Sequence, residues 1–164
     1  MAIYAGLRSC AALFLLLTGI CFKSDAQAFN RKDFYAAMAS DNPATIDGQM
    51  AIVKNSIMAE QAAFEGALLM KKAALAKVAH KKLSFFKEGH QKLEACIRLN
   101  NENAEYRFLR LMIQEHAPRM LGYKDDLQKD SAYIRQSYKK LPADVQEAIK
   151  NYSKTSRVLN ADDL

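Results

Sequence analysis

The stretch LEACIRLNNENAEYRFLRLMIQEHAP, from Leu93 to Pro118, constrains the fold of this chain most strongly. Leu93 and Ile97 lie on one helical stripe before the break; Tyr106, Leu109 and Ile113 lie on another after it, with Phe108 and Met112 beside them. Between the two patterns stand Asn100, Asn101, Glu102 and Asn103. Asn caps helix starts and tolerates left-handed backbone, so the cluster can end one helix and begin the next. Two amphipathic helices joined by so few residues hide their apolar faces by folding back on each other.

The same period runs along most of the chain, and breakers are sparse, with 6 Gly and 3 Pro. A short helix is expected over about Arg31 to Ala39. Asn42 then reads as an N-cap with Pro43 in the first helical position, followed by an apolar stripe of Ile46, Met50, Val53 and Ile57. From Glu60 to Val78 the stripe is Phe64, Leu68, Leu75 and Val78. Ala63, Ala67 and Ala74 form an adjoining smooth surface for close helix approach. From Lys81 to Leu99 the apolar face is Leu83, Phe86, His90, Leu93 and Ile97, and Lys87, Gln91, Glu94 and Arg98 form the solvated one. After the Asn turn, Arg107, Arg110 and Gln114 share a second face of the next helix, which Pro118 ends. Asp125 or Asp126 caps a helix whose face is Leu127, Ser131, Ile134 and Tyr138. Pro142 starts a last helix with Val145, Ile149 and Tyr152. The expected fold is therefore all-α, with about five to seven helices in stacked antiparallel hairpins over residues 29–153 and a frayed tail over 154–164.

Residues 1–28 read as a signal peptide. Arg8 precedes an apolar run from Ala11 to Phe22, too short to span a bilayer comfortably, and Ala26-Gln27-Ala28 is a small-x-small cleavage pattern. Ile20 ahead of Cys21 argues against lipoprotein processing, which wants a small residue there. The expected location is periplasmic or secreted. Cys96 is then the one cysteine left, so the domain is held by its core without an internal disulfide. The net charge of +6 falls to about +5 without the leader, a mixed balance that does not call for nucleic acid.

ACIRLNNENAEYRF resembles the junction between successive tetratricopeptide repeats. Cys96 takes the place of the small residue late in the second helix, Leu99 that of the Leu before the turn, and Asn103-Ala104-Glu105 the start of the next helix. The chain departs from that pattern at Asn101, where the repeat has Pro, and at Arg107 and Arg110, where it has apolar residues. The resemblance spans about Phe64 to Glu115 and implies a TPR-like stack of hairpins. More broadly, the chain resembles small exported helical proteins of Gram-negative bacteria.

No motif carries catalysis, a cofactor or a metal. His90 and Glu94 are one turn apart, but no further ligand pattern supports them. Glu115-His116 with Asp125, Asp126 and Asp130 lacks a nucleophile, and those acids read as helix-start residues. The chain is therefore read as a non-enzymatic interaction module with a protein partner, bound through Tyr106, Arg107, Arg110 and Tyr123. The alternative rests on the segment Lys71–Lys92, which holds seven lysines and one acid, Glu88. There Lys77, Lys81 and Lys82 would contact an anionic membrane surface or lipopolysaccharide. N-terminal sequencing of the exported species is expected to begin at Phe29; a chain that keeps Met1 or starts at Cys21 contradicts the leader.

Overall fold

A computed structural model describes residues 28–164. The expected leader lies outside the described residues, apart from Ala28. The fold is all-α, and no strand forms among the described residues. Seven α-helices are described: α1 (Arg31–Ala39), α2 (Pro43–Asn55), α3 (Gln61–Leu75), α4 (Ala79–Leu99), α5 (Ala104–His116), α6 (Leu127–Ser137) and α7 (Ala143–Ser153).

Asparagine starts three of these helices by giving its side-chain oxygen to backbone N–H groups that the helix cannot pair itself. Asn30 accepts from the amide of Lys32 at 2.8 Å, Asn42 from that of Ala44 at 2.9 Å, and Asn103 from that of Tyr106 at 3.1 Å. Pro43 occupies the first position of α2, where its missing donor costs nothing. The Asn100–Asn103 turn works by capping and not by left-handed backbone. Asn100 has φ −140°, and Gly122, at φ 59°, is the single described residue with positive φ. The amide of Asn100 returns to the Cys96 carbonyl at 3.0 Å, closing α4.

α3 and α4 form the tightest antiparallel pair, α5 and α6 the next, and α3 also lies along α2 and α5. α1 packs on α2 and on α7, so the first and last helices meet. The close approach of α3 and α4 is set by two glycines. A Cβ on Gly66 would lie 2.8 Å from the Gly89 carbonyl oxygen, and one on Gly89 would lie 2.5 Å from the Gly66 oxygen. Alanines 63 and 67, both 0% exposed, continue the smooth face. The core then fills with Phe34, Phe64, Leu68, Leu93, Phe108 and Leu109, all fully buried. Phe34 and Phe64 meet edge to face at 4.6 Å, and Phe29 packs on Phe64 at 5.0 Å.

Several sequence expectations are corrected. Ile57 fits the apolar stripe of α2 by spacing but is exposed, because α2 ends at Asn55; Leu99, which takes the Leu place in the resemblance to a repeat junction, is exposed at the last turn of α4. Val78 is also exposed, since α3 stops at Leu75, and so is Leu83, near the exposed start of α4. Asp126 occupies the N-cap position of α6 without capping it; its carboxylate lies 3.2 Å from Arg110 instead. The tail after Lys154 is not frayed. Leu159 is fully buried, and Ser131 Oγ and Arg135 donate to the Val158 carbonyl at 2.5 and 3.2 Å. Glu115 accepts from Tyr152 Oη at 2.9 Å, from Ser156 Oγ at 2.8 Å and from the amide of Arg157. The segment is a strap laced onto α5 and α6.

One substitution should act with opposite sign at two glycines. Gly89→Ala forces its Cβ onto a backbone carbonyl that cannot swing away, and should cost about 1–3 kcal/mol. Gly48→Ala, in the exposed face of α2 with nothing within 4 Å, should stabilise by about 0.5–1 kcal/mol. Urea unfolding of both variants checks the pair; a stabilised Gly89→Ala means that α3 and α4 are not in this register.

Candidate functional site

α5 is covered along nearly its whole length, and this changes the meaning of the aromatic and basic residues singled out in the sequence. Tyr106, Arg107, Arg110 and Tyr123 are 7%, 7%, 5% and 7% exposed. They do not form a partner-facing surface. The polar ends of Arg107, Arg110 and Tyr123 are consumed inside the fold.

The centre of this network is Asp130, at 0% exposure on α6. Its Oδ1 accepts from Arg107 Nη1 at 2.9 Å and from Arg110 Nη2 at 2.8 Å, and its Oδ2 accepts from Arg110 Nε at 2.7 Å. Arg110 Nη1 continues to Glu94 Oε2 on α4 at 3.0 Å. Tyr123 Oη donates to Glu94 Oε1 at 2.6 Å. Arg107 Nε donates to the Asn101 carbonyl at 2.8 Å, which pins the Asn turn, and its guanidinium lies over the Tyr133 ring at 4.6 Å. Burial works against the charge of Arg110, but the bonds to Asp130 outweigh it and raise its pKa further. Burial and the bond to Glu94 push the Tyr123 hydroxyl up, so it remains a donor. The network has donors and acceptors in register and no nucleophile. Its chemistry is that of a clamp.

The sequence reading missed Asp130 as a buried ligand of both arginines and placed Glu94 on a solvated face. A usable signal was present. Asp130 stands four residues before Ile134 and so shares its inward face, while Arg107 and Arg110 fall at positions where a repeat of this kind has apolar residues. A second polar cluster ties α1 to α5. Glu105 accepts from Arg31 Nε at 2.9 Å and Tyr35 Oη at 3.0 Å. Burial raises the Glu105 carboxyl above the ordinary carboxylate range, and these two donors oppose that shift.

Three lysines of the lysine-rich segment form ion pairs, and the other four, Lys87 among them, form none among the described residues. Lys71 pairs with Asp41 at 3.0 Å, Lys72 with Asp47 at 2.5 Å and Lys92 with Glu65 at 3.1 Å. Lys77, Lys81 and Lys82 form no ion pair among the described residues. They belong to an uninterrupted exposed run, residues 77–84, that contains Val78 at 45% and Leu83 at 47% exposure. This run is the turn after α3 and the start of α4.

An open cleft of about 310 Å³ lies between α1 and α7. Ala36, Ala39, Met112, Ala148 and Tyr152 give it an apolar floor, and Lys32 and Glu147 face each other at its rim at 3.9 Å. Among the described residues no three His, Cys, Asp or Glu side chains are grouped to hold a metal. His90 stacks on Phe86 and meets the Tyr123 ring at 4.6 Å. Comparison with protein-family models, curated proteins and solved structures finds no match to this chain.

Asp130→Asn should unfold at markedly lower urea, losing about 3–5 kcal/mol, because two buried guanidinium groups are left without their shared carboxylate. The exposed Asp125→Asn should shift stability by less than about 0.5 kcal/mol. Similar losses at the two positions would show that Asp130 is not the clamp.

Proposed function

We propose that this chain is a binding protein and not a catalyst, and that the tip of α4 docks it on an anionic surface of the cell envelope. The observation that carries this reading is the eight-residue exposed run at 77–84, where three unpaired lysines flank exposed Val78 and Leu83. The other lysines of the segment that pair with acids, Lys71, Lys72 and Lys92, are already neutralised. A basic tip with apolar residues between its charges suits a phospholipid headgroup layer, which offers anions at the surface and hydrocarbon beneath. At about 1 kcal/mol per lysine, three lysines contribute roughly 3 kcal/mol, or two orders of magnitude in affinity. Export to the periplasm or beyond, as the leader suggests, would bring the tip to such surfaces.

A protein partner is the second reading, now placed in the α1–α7 cleft because the four residues first considered for it are buried. The apolar floor of that cleft, with exposed Ala36 and Ala39, favours it. Ala36→Arg should then abolish partner capture and leave vesicle binding untouched.

The surface-docking reading expects sedimentation with phosphatidylglycerol vesicles at low salt. Binding should fade as the Debye length falls from about 10 Å at 0.1 M to about 3 Å at 1 M. Combining Lys77→Glu, Lys81→Glu and Lys82→Glu should abolish it with helical content intact, since Lys and Glu have similar helix propensity. Lys71→Glu, at a lysine already paired with Asp41, should have a much smaller effect. Undiminished vesicle binding by the triple variant would overturn the assignment.

A further inference from the structure

The loop between α5 and α6 carries an exposed run of its own, residues 118–122. Met120 is 90% and Leu121 38% exposed, and Arg119 beside them is exposed and forms no ion pair among the described residues. The turn bonds part of its own backbone. The amides of Leu121 and Gly122 return to the Pro118 and Arg119 carbonyls, each at 3.1 Å, and Pro118 has no amide donor to satisfy. That lowers the cost of moving the turn out of water.

This turn lies against the same helix as the lysine tip. Arg110 on α5 reaches Glu94 of α4, and Tyr123, just past the turn, packs its ring on Phe86 and His90 at 5.7 and 4.6 Å. Leu83 continues the Phe86–His90 stripe one turn, about 5 Å, further toward the tip. Met120 stands three residues before Tyr123, so the chain holds it within about 11 Å of that anchor. The runs 77–84 and 118–122 therefore flank one stripe of α4, and neither contains an acid. Ile57 and Leu99 are as exposed as Met120 but stand at the opposite end of the α3–α4 pair, roughly 20–30 Å away.

We propose that Met120 and Leu121 insert into the acyl layer of an anionic phospholipid bilayer, while Arg119 joins Lys77, Lys81 and Lys82 at its headgroups. The inference rests on the surface-docking reading and adds to it a second point of attachment with a different chemistry. Lysines alone would dock on any anionic surface, an acidic protein included. Exposed Met and Leu beside unpaired cations call for hydrocarbon beneath the charge, which a bilayer offers. Two contacts along one helix also fix how the molecule lies, with the start of α4 and the 118–122 turn toward the lipid and Ile57 away from it.

The chain has no Trp, so a single introduced Trp reports its own surroundings. Met120→Trp and Ile57→Trp are mixed with phosphatidylglycerol vesicles at low salt, with and without brominated acyl chains. The emission of Met120→Trp should move to the blue and be quenched by the brominated lipid. Ile57→Trp should sediment with the same vesicles and show neither change. Burying one such apolar side chain is worth at least about tenfold in affinity. Met120→Glu combined with Leu121→Glu should therefore weaken vesicle binding by about tenfold or more, with Tm unchanged because both side chains are exposed. If the native protein sediments but Met120→Trp is unquenched, or quenched no more than Ile57→Trp, insertion is overturned and docking by the lysines stands. Undiminished binding by the double Glu variant has the same meaning. If the native protein does not sediment at all, both readings fall.

Discussion

Asp130 reaches both guanidinium groups of α5, and through Arg110 its influence extends to Glu94 of α4 and Tyr123 of the following loop. Three helices and a turn are therefore held by one fully buried carboxylate and the groups it organises. Removing a charge from such a set costs far more than the set contributes over a well-packed apolar substitute, because each remaining ion stays desolvated. The clamp fixes how α6 lies on α5. The docking of α6 in turn places Ser131 and Arg135, which hold the carbonyl of Val158 and seat the C-terminal strap.

The other half of the molecule is organised by shape and not by charge. Gly66 and Gly89 bring the backbones of α3 and α4 together, and the alanines beside them keep that face smooth. Packing this close leaves nothing to absorb an added methyl group, since each Cβ would meet a carbonyl oxygen. Phe64 on the same helix joins Phe29 and Phe34, so the core of α3 also seats the first described turn of the chain.

Against this interior the free surface features are few. Ion pairs absorb Lys71, Lys72 and Lys92, and the buried Asp130 absorbs Arg107 and Arg110, whereas Lys77, Lys81 and Lys82 form no ion pair among the described residues and share one exposed run. The surface-docking reading rests on charge that the fold itself does not use, and the partner reading on the apolar floor of the α1–α7 cleft.

Much of the architecture was legible in the chain. Helical spacing from Arg31 to Ser153, Asn42 and Pro43 at one helix start and the Asn turn after Leu99 all follow from interactions within a few residues. Such local rules decide which residues share a face. They do not decide whether another element covers that face. Ile57 and Leu83 fit apolar stripes and face water, while Arg107 and Arg110, read as partner-binding, lie inside, and Glu94, read as solvated, is partly buried against Arg110. Asp130 stands twenty residues from Arg110, and Ser131 twenty-seven from Val158. Those pairings exist only after helices dock, because desolvation then makes an unpaired charge or carbonyl costly and selects the partner within reach. The sequence by itself determined the helices and their turns. Only the tertiary structure decided which charges are spent inside and which remain at the surface.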